Sequence, residues 1–211
     1  MKDLVIIGAG GFGREVADTV KRINDENSKY NLIGFIDDDE SVVGNEINGI
    51  EVLGNTEFLK RKINNDVRAA IAIASSDIKK YVASLLKGYV VWENIIDPTV
   101  IISESNIMGV GNIIQPFVVI NANSKIGNHC TINYGCGLGH DVILDDYVSL
   151  MPMCNVTGNV HLNESVYLGA DVCIIPSVNI EKESIVGAGT TVIKDIVETG
   201  TYVGNPARRV K

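Results

Sequence analysis

The sequence predicts a chain of two parts, a small α/β domain followed by a parallel β-helix. Three observations predict this. A glycine-rich turn joins an apolar run to a helical pattern near the N-terminus, strands and helices alternate over positions 1–95, and a six-residue repeat follows. We expect a Rossmann-like βαβ domain over 1–95, the β-helix over 96–197 and a C-terminal capping tail over 198–211.

The first element is a short buried strand, Leu4–Ile7, which runs directly into a glycine turn. The turn has the spacing G-x-G-x-x-G at Gly8, Gly10 and Gly13. Apolar residues at helical spacing follow over Arg14–Asn27. Backbone N–H groups at the start of such a helix can hold phosphate oxygens, so this order of elements predicts a nucleotide site.

The rest of this domain alternates strands and helices. A second strand, Leu32–Ile36, ends in Asp37 and Asp38, and an acidic residue at that distance from the glycines suits a ribose hydroxyl. The remaining predicted elements are a minor strand at Val52–Leu53, a helix at Thr56–Asn64, a strand at Ala69–Ala74, a helix at Ser76–Lys87 and a strand at Tyr89–Trp92. Together they predict a parallel sheet of about four strands.

The glycine turn by itself is typical of NAD binding. The segment before the repeats is long enough for only half of a dinucleotide fold, so we favour a mononucleotide or a nucleotide-sugar. The alternative is that the glycines only permit a helix and a strand to pack closely, as they do in folds without a ligand.

A six-residue period governs the chain from Ile102 to Val192. The residues at this spacing are all apolar: Ile102, Met108, Ile114, Ile120, Ile126, Ile132, Leu138, Leu144, Leu150, Val156, Leu162, Leu168, Ile174, Ile180, Val186 and Val192. Hexapeptide repeats of this kind indicate a parallel β-helix, in which three repeats make one coil and equivalent positions stack in successive coils.

Two further positions support the repeat. The residue four after each apolar position is mostly small or β-branched, as a narrow interior requires. Glycine recurs just after the apolar position, at Gly109, Gly127, Gly139, Gly169 and Gly187. We expect the tight corner of each coil at these glycines. The tail after Glu198 lacks the period and is predicted to be irregular.

Composition limits the function classes. The net charge of −8 argues against a nucleic-acid surface, and no apolar run is long enough for a membrane span. A cytoplasmic protein is expected. Cys136 and Cys154 are three repeats apart and should stack, but in a reducing compartment buried thiols are favoured over a disulfide.

Among the three histidines, His140 stands out. Asp141 follows it directly, and stacking places the small residues Ala122 and Gly158 on either side, as a pocket would require. A solvated corner histidine is an equally good interpretation of this spacing. His129 and His161 are expected on the solvated surface without a neighbouring carboxylate, and no ligand spacing indicates a metal.

The combination of these motifs resembles a known family. A glycine-rich nucleotide domain, a β-helix with His-Asp near its middle and a closing Val203-Gly-Asn-Pro-Ala run occur in this order in the NeuD/PglD-like sugar acetyltransferases. The resemblance covers essentially the whole chain. It implies a left-handed β-helix and a homotrimer with each acyl-donor cleft between two subunits. It also implies acetyl transfer from acetyl-CoA to the amine of a nucleotide-linked amino-sugar, for surface glycan synthesis.

The resemblance also implies roles for individual residues. His140 matches the general base and Asp141 the carboxylate that orients it, while stacking makes the backbone N–H of Gly158 a candidate oxyanion donor. The matches for substrate binding are Gly10, Gly11, Phe12, Asp37, Asp38 and Asn133. Those for acetyl-CoA are Ser149, Ala170, Ala188, Arg208 and Arg209, although a solvated basic tail explains the two arginines equally well.

Other functions stay open at this point. The His-Asp pair would serve O-acetylation of sialic acid equally well. A non-catalytic hexapeptide scaffold or a nucleotide sensor is the alternative from another class, and the His140–Asp141 pair argues against it. A nicotinamide oxidoreductase is the least favoured.

Overall fold

The computed structural model describes residues 1–62 and 66–211. The chain divides into two units, Met1–Pro98 and Thr99–Lys211. The predicted helix over 56–64 is observed as Thr56–Lys62, and positions 63 and 64 lie outside the described residues. Within the described residues, no helix combines the length and the apolar character needed to cross a membrane.

The N-terminal unit is a sheet with helices. Its elements are β1 Lys2–Ile7, α1 Gly11–Asn27, β2 Tyr30–Ile36, β3 Glu46–Ile47, β4 Ile50–Gly54, α2 Thr56–Lys62, β5 Arg68–Ile71, α3 Ser76–Leu85, β6 Val91–Trp92 and β7 Ile95–Ile96. The sheet order is β3-β4-β2-β1-β5-β6, parallel except for β3, which is antiparallel to β4. The predicted Rossmann-like unit is confirmed, with six strands in its sheet where about four were expected.

Burial explains why these segments form this unit. The run Leu4–Ile7 is at most 2% exposed, and β1 pairs with both β2 and β5. Helix α1 buries Val16, Val20 and Ile23, which lie on one side of an amphipathic helix. The helix begins at Gly11, before the predicted start, because Gly10 is the extended N-cap and its carbonyl accepts the N–H of Arg14 at 3.2 Å.

The C-terminal unit is a left-handed parallel β-helix, as the family resemblance implied. Its strands are β8 Ile101–Ile102, β9 Ile107–Met108, β10 Ile113–Ile114, β11 Val119–Ile120, β12 Lys125–Ile126, β13 Thr131–Ile132, β14 Gly137–Leu138, β15 Ile143–Leu144, β16 Ser149–Leu150, β17 Asn155–Val156, β18 His161–Leu162, β19 Tyr167–Leu168, β20 Cys173–Ile174, β21 Asn179–Ile180, β22 Ile185–Val186, β23 Thr191–Val192, β24 Thr201–Val203 and β25 Arg208–Arg209.

Equivalent strands of successive coils pair in parallel, as Ile120 does with Leu138. This arrangement gives three faces. The first face holds β8, β11, β14, β17, β20 and β23; the second holds β9, β12, β15, β18 and β21; the third holds β10, β13, β16, β19, β22 and β24. We call the turns that follow first-face strands the first corner (121–123, 139–141, 157–159, 175–177). Those that follow third-face strands are the third corner (115–117, 133–135, 151–153, 169–171, 187–189).

The repeat fills a narrow interior. From Ile114 to Val192, every apolar position of the six-residue period is at most 3% exposed. The small position between them is equally buried from Asn112 to Thr190. Cys136 and Cys154 belong to this set and remain thiols, as predicted.

The predicted position of the corner is wrong by two positions. The residue with left-handed backbone is the third after the apolar position, as at Asn123, Asp141 and Asn159, where φ is +63°, +58° and +58°. The recurring glycines have a different reason. A Cβ on Gly139 would lie 2.5 Å from the backbone N of Gly158 in the next coil, so the close approach of successive coils requires them.

The predicted irregular tail is also wrong. Strand β24 pairs in parallel with β22, and β25 then pairs with β24 in an antiparallel hairpin. Ile185 pairs with Thr201. Their separation along the chain is shorter than the three-repeat separation of paired residues in the other coils, because β24 lies outside the six-residue repeat. Its pairing covers the edge that β22 would otherwise expose on the third face.

Candidate functional site

The N-terminal unit has a pocket of about 510 Å³ at the carboxyl ends of β1, β2 and β5. All five of the predicted nucleotide-sugar residues in this unit line it: Gly10, Gly11, Phe12, Asp37 and Asp38. The opposite wall is apolar and includes Ile73, Ile78 and Tyr81. A pocket at this end of a parallel sheet is where α/β folds bind their ligands.

Asp37 and Asp38 lie at the rim of this pocket, where both accept hydrogen bonds. Asp37 accepts the N–H of Ala9 at 2.8 Å through Oδ2, and so pins the glycine turn. Asp38 accepts both the N–H and the hydroxyl of Thr56 at 2.8 and 2.9 Å, in each case through Oδ1. These bonds fix the position of both carboxylates at the mouth of the pocket.

The two interpretations of the glycine turn, a ligand site and close packing of helix with strand, apply to different glycines. A Cβ on Gly13 would collide with the carbonyl of Gly8, so Gly13 permits close packing of helix and strand. Gly10 is open, with nothing within 4 Å of an added Cβ, and a Cβ on Gly11 would meet the end of the Arg14 side chain at 3.8 Å. Packing therefore explains Gly13, whereas no protein atom requires glycine at Gly10 or Gly11, and the space beside both residues is open.

In the β-helix, the first corner brings His140 and Asp141 together. The distance between His140 Nδ1 and Asp141 Oδ2 is 2.7 Å, and the two side chains are 63% and 46% exposed. Hydrogen bonds from His140 and from Asn123 hold the pKa of Asp141 below its ordinary value of 3.8. Because a carboxylate only accepts, the shared hydrogen lies on Nδ1, and Nε2 keeps a lone pair for a proton.

The ring of His140 lies against Gly158 of the next coil. A Cβ on Gly158 would be 2.6 Å from Nε2, so only glycine leaves room for the imidazole in this position. The stacking predicted from the three-repeat spacing is thus confirmed for these two residues.

Within residues 1–62 and 66–211, the backbone N–H of Gly158 donates to no protein acceptor. Gly139 has no side chain to cover it. At another corner, the corresponding N–H of Asn128 donates to Asp146 in the next coil at 2.6 Å. The residue in the next coil from Gly158 is Pro176, whose side chain offers no acceptor. This N–H is therefore suited to an oxyanion close to Nε2.

The other predicted residues of the β-helix lie elsewhere. Asn133, Ala170 and Ala188 are on the third corner, and the first face separates them from His140 in the same chain. The Oδ1 atom of Asn133 accepts the N–H of Tyr134 at 2.8 Å. Ser149 is completely buried in β16 on the third face, so this burial does not support its predicted contact with the acyl donor.

The two arginines of the tail differ in their contacts. Arg209 pairs with Glu198 at 2.8 Å and donates to the carbonyl of Thr199 at 3.1 Å. Arg208 donates to the carbonyl of Ala207 at 2.9 Å. Both lie exposed in β25. The positive charge of Arg209 is therefore partly compensated by a carboxylate, while Arg208 donates to a neutral backbone carbonyl.

Two expectations about histidines are wrong. His129 is only 5% exposed, because its ring stacks on that of Tyr147 in the next coil, with centroids 5.5 Å apart. His161 does have a carboxylate neighbour, since its Nε2 lies 3.2 Å from Asp145 Oδ1. Within residues 1–62 and 66–211, no group of three or more acidic, cysteine or histidine side chains is placed to hold a metal ion.

Sequence reasoning also missed Asn123, which lies one coil before Asp141 on the first corner and whose side chain lowers the pKa of that carboxyl. The signal was present in the three-repeat spacing, which places Asn123 and Asn159 on either side of Asp141.

Comparison with known proteins gives a consistent result. A model described as the PglD N-terminal domain matches residues 3–86. The chain is 34% identical over 219 aligned residues to the GDP-perosamine N-acetyltransferase of Escherichia coli O157:H7, covering 98% of this chain and 95% of that protein. The chain belongs to the NeuD/PglD-like sugar acetyltransferase family.

Solved structures of NeuD/PglD-like acetyltransferases match over the full length. PerB from Caulobacter crescentus, in complex with CoA and GDP-perosamine, is 27% identical with a TM-score of 0.90, covering 100% of this chain and 98% of that one. The acetyltransferase domain of PglB from Neisseria gonorrhoeae FA1090, in complex with acetyl coenzyme A, is 25% identical with a TM-score of 0.90, covering 99% of both chains.

Proposed function

We propose that this protein transfers the acetyl group of acetyl-CoA to the amine of a nucleotide-linked amino-sugar of the 4-amino-4,6-dideoxyhexose type, for surface glycan synthesis. The arrangement of His140 carries the proposal. Its Nδ1 is held by Asp141 at 2.7 Å, which leaves Nε2 exposed beside Gly158. The names of the relatives support the same reaction, since the E. coli protein is a GDP-perosamine N-acetyltransferase and PerB binds both CoA and GDP-perosamine.

The reaction follows from these atoms. The sugar amine attacks the thioester carbonyl carbon, and Nε2 of His140 takes the proton that the nitrogen loses. Asp141 stabilises the resulting imidazolium, and the N–H of Gly158 donates to the oxyanion. The tetrahedral intermediate then breaks its C–S bond. The CoA thiolate takes the proton from the imidazolium, which leaves an amide, a free thiol and a neutral His140.

The pocket of the N-terminal unit is proposed to hold the nucleotide. Gly10 and Gly11 open toward it at the start of α1, where backbone N–H groups favour phosphate oxygens. Asp37 and Asp38 are proposed to face the ribose and base, and Tyr81 supplies an apolar wall for the base. The volume of about 510 Å³ is in the range of small-molecule sites.

The acyl donor is proposed to lie between two subunits of a homotrimer. Asn133, Ala170 and Ala188 lie on the third corner and His140 on the first, so within one chain the first face separates them from the base. A neighbouring copy that set its third corner against this first corner would bring them beside His140. The third corner also exposes a set of large apolar side chains that such contact would bury: Phe117, Tyr134 and Met153. Arg208 and Arg209 are proposed to meet the CoA phosphates.

A cytoplasmic location is proposed with this function. All four cysteines are thiols, and unpaired thiols persist in reducing compartments.

The test is to supply acetyl-CoA with GDP-, UDP- and dTDP-linked 4-amino-sugars, and to follow free thiol and product mass together. The proposal predicts that at least one nucleotide-sugar gains one acetyl group for each thiol released. Acetylation of free sialic acid in place of every nucleotide-sugar would redirect the assignment to an O-acetyltransferase. If none of these acceptors led to the release of free thiol, the enzymatic proposal would be overturned.

A further inference from the structure

We propose that Thr157 is a positioning residue for the backbone N–H of Gly158, the donor proposed above for the oxyanion. This inference rests on the acetyl transfer proposed above. The hydroxyl of Thr157 donates a hydrogen bond of 2.6 Å to the carbonyl of Ile174 in the next coil. The backbone N–H of Thr157 donates to the same oxygen at 3.3 Å. Two bonds to one carbonyl therefore hold the residue that precedes Gly158.

The peptide that joins Thr157 to Gly158 carries this N–H. Within residues 1–62 and 66–211, its carbonyl accepts no hydrogen bond and its N–H donates none. The peptide could therefore rotate and turn the N–H away from the oxyanion without breaking a hydrogen bond. Glycine at position 158 adds freedom on one side, because it lacks a Cβ. The direction of the N–H thus depends on how the flanking groups are held.

The equivalent peptide one coil earlier, between Gly139 and His140, is held from the interior. The carbonyl of Gly139 accepts the hydroxyl of Ser124 at 3.2 Å, and Ser124 lies 15 residues earlier at the small inward position. Fifteen residues before Thr157 is Val142, whose side chain has no hydrogen-bond donor. This interior anchor is therefore missing at Thr157.

The side chain of Thr157 supplies an anchor from the other direction. Its backbone bond of 3.3 Å is longer than the equivalent bonds of Asn121 and Gly139, at 3.0 and 2.7 Å, whereas its hydroxyl bond of 2.6 Å is short. Because threonine is β-branched and stiff at χ1, a fixed hydroxyl also fixes its Cα. On the far side, the carbonyl of Gly158 accepts the N–H of Ser177 at 3.0 Å. The peptide between these anchors is held at both ends.

Two substitutions separate the hydroxyl from the shape of the side chain. Thr157→Val keeps the branched shape and removes the donor, while Thr157→Ser keeps the donor. The matched control is Asn163→Leu. Asn163 lies directly after a second-face strand, as Thr157 lies after a first-face strand, and its Nδ2 donates to the carbonyl of Ile180 at 2.7 Å. This control therefore measures the loss of a similar bond on a corner that does not hold Gly158.

The first experiment compares the steady-state kinetics of the three variants. We expect Thr157→Val to lower kcat about 5- to 20-fold with both KM values within about twofold, because the N–H is required only when the oxyanion forms. Thr157→Ser and Asn163→Leu should stay within about twofold of wild type. A kcat of Thr157→Val equal to wild type, or an equal loss in either of the other two variants, would overturn the proposal.

A second measurement does not depend on turnover. In protein labelled with ¹⁵N-glycine, the ¹H–¹⁵N heteronuclear NOE of Gly158 reports the fast motion of its N–H. Gly158→Ala identifies this signal among those of the 21 glycines. We expect the NOE to fall in Thr157→Val and to keep its wild-type value in Thr157→Ser and Asn163→Leu.

An unchanged NOE in Thr157→Val would contradict the positioning role. Absence of acetyl transfer by the wild type would instead contradict the proposed function, and the NOE would still decide whether Thr157 orders the peptide.

Discussion

The imidazole of His140 lies against Gly158, the residue at the equivalent corner one coil further along the β-helix. A methyl group on Gly158 would be 2.6 Å from Nε2 and 2.7 Å from Cε1 of the ring. Two features therefore set the position of the imidazole. Gly158 in the next coil has no side chain to displace the ring, and the carboxylate of Asp141 holds Nδ1.

A Gly158→Ala substitution tests this relationship. The added methyl group should push the imidazole away from the N–H of Gly158, and we expect kcat to fall about 10- to 100-fold. The melting temperature should change little, since the displaced ring is exposed. Steady-state kinetics and thermal unfolding on one preparation would check both parts.

The comparison variant is Gly139→Ala, whose methyl group would lie 2.5 Å from a backbone nitrogen. Because backbone cannot move aside as a side chain can, this change should lower the melting temperature by several degrees at a cost of about 1–3 kcal/mol. Equal melting temperatures for the two alanine variants would contradict the geometry.

The pH dependence follows from the lowered pKa of Asp141. Hydrogen bonds from His140 and Asn123 lower it from 3.8, so the carboxylate stays ionised as pH falls through its ordinary range and protonates only below it. In a pH profile of kcat, we therefore expect no loss from protonation of Asp141 until the pH is below the ordinary carboxyl range, where the negative charge beside His140 is removed.

Asp141→Asn checks this assignment. Asparagine accepts the left-handed backbone but has no negative charge to favour the imidazolium. We expect kcat to fall about 10- to 100-fold. A kcat equal to that of wild type would contradict a role for the negative charge of Asp141 beside His140.

Much of the β-helix could be predicted, because each coil requires an inward apolar residue at every sixth position. The three-repeat spacing then placed Gly158 beside His140 correctly. The same spacing was not applied to Asp141, and so Asn123 was missed. For His129, the aromatic partner Tyr147 was visible at the equivalent position of the next coil, and its burial could have been expected.

Other features had no periodic signal. Handedness does not change the period, so only the family resemblance supplied it. Strand β24 pairs Thr201 with Ile185, a register that a hexapeptide pattern cannot indicate. Glycines just after the apolar positions suggested a corner, whereas their actual role is to let successive coils approach. That distinction depends on interatomic distances.

Asp37 offers a test of the nucleotide pocket. Asp37→Ala removes the acceptor that pins Ala9 at 2.8 Å, so the glycine turn should loosen. We expect KM for the nucleotide-sugar to rise about 10-fold, with KM for acetyl-CoA unchanged. Asp39→Ala is the control, since Asp39 accepts hydrogen bonds from the N–H and the hydroxyl of Ser41, away from the glycine turn. Equal KM values for the two variants would argue against a role for Asp37 in binding.

The shared cleft of the proposed trimer predicts complementation between inactive chains. His140→Ala removes the base on the first corner, and Ala188→Trp obstructs the third. If each site draws on two chains, random mixed trimers should regain about a quarter of the wild-type sites. A mixture of His140→Ala with Gly158→Ala should recover no activity beyond that of the separate variants, because both changes affect the first corner. No recovery in the first mixture would contradict a cleft between subunits.

The central claim is that Nε2 of His140 takes the proton from the attacking amine. The direct measurement is thiol release from acetyl-CoA in the presence of a GDP-linked 4-amino-sugar, by wild type and by His140→Ala. We predict sugar-dependent release by the wild type and a loss of kcat of about 10²- to 10⁴-fold in the variant, with KM values little changed. A variant that released thiol at the wild-type rate would contradict the account.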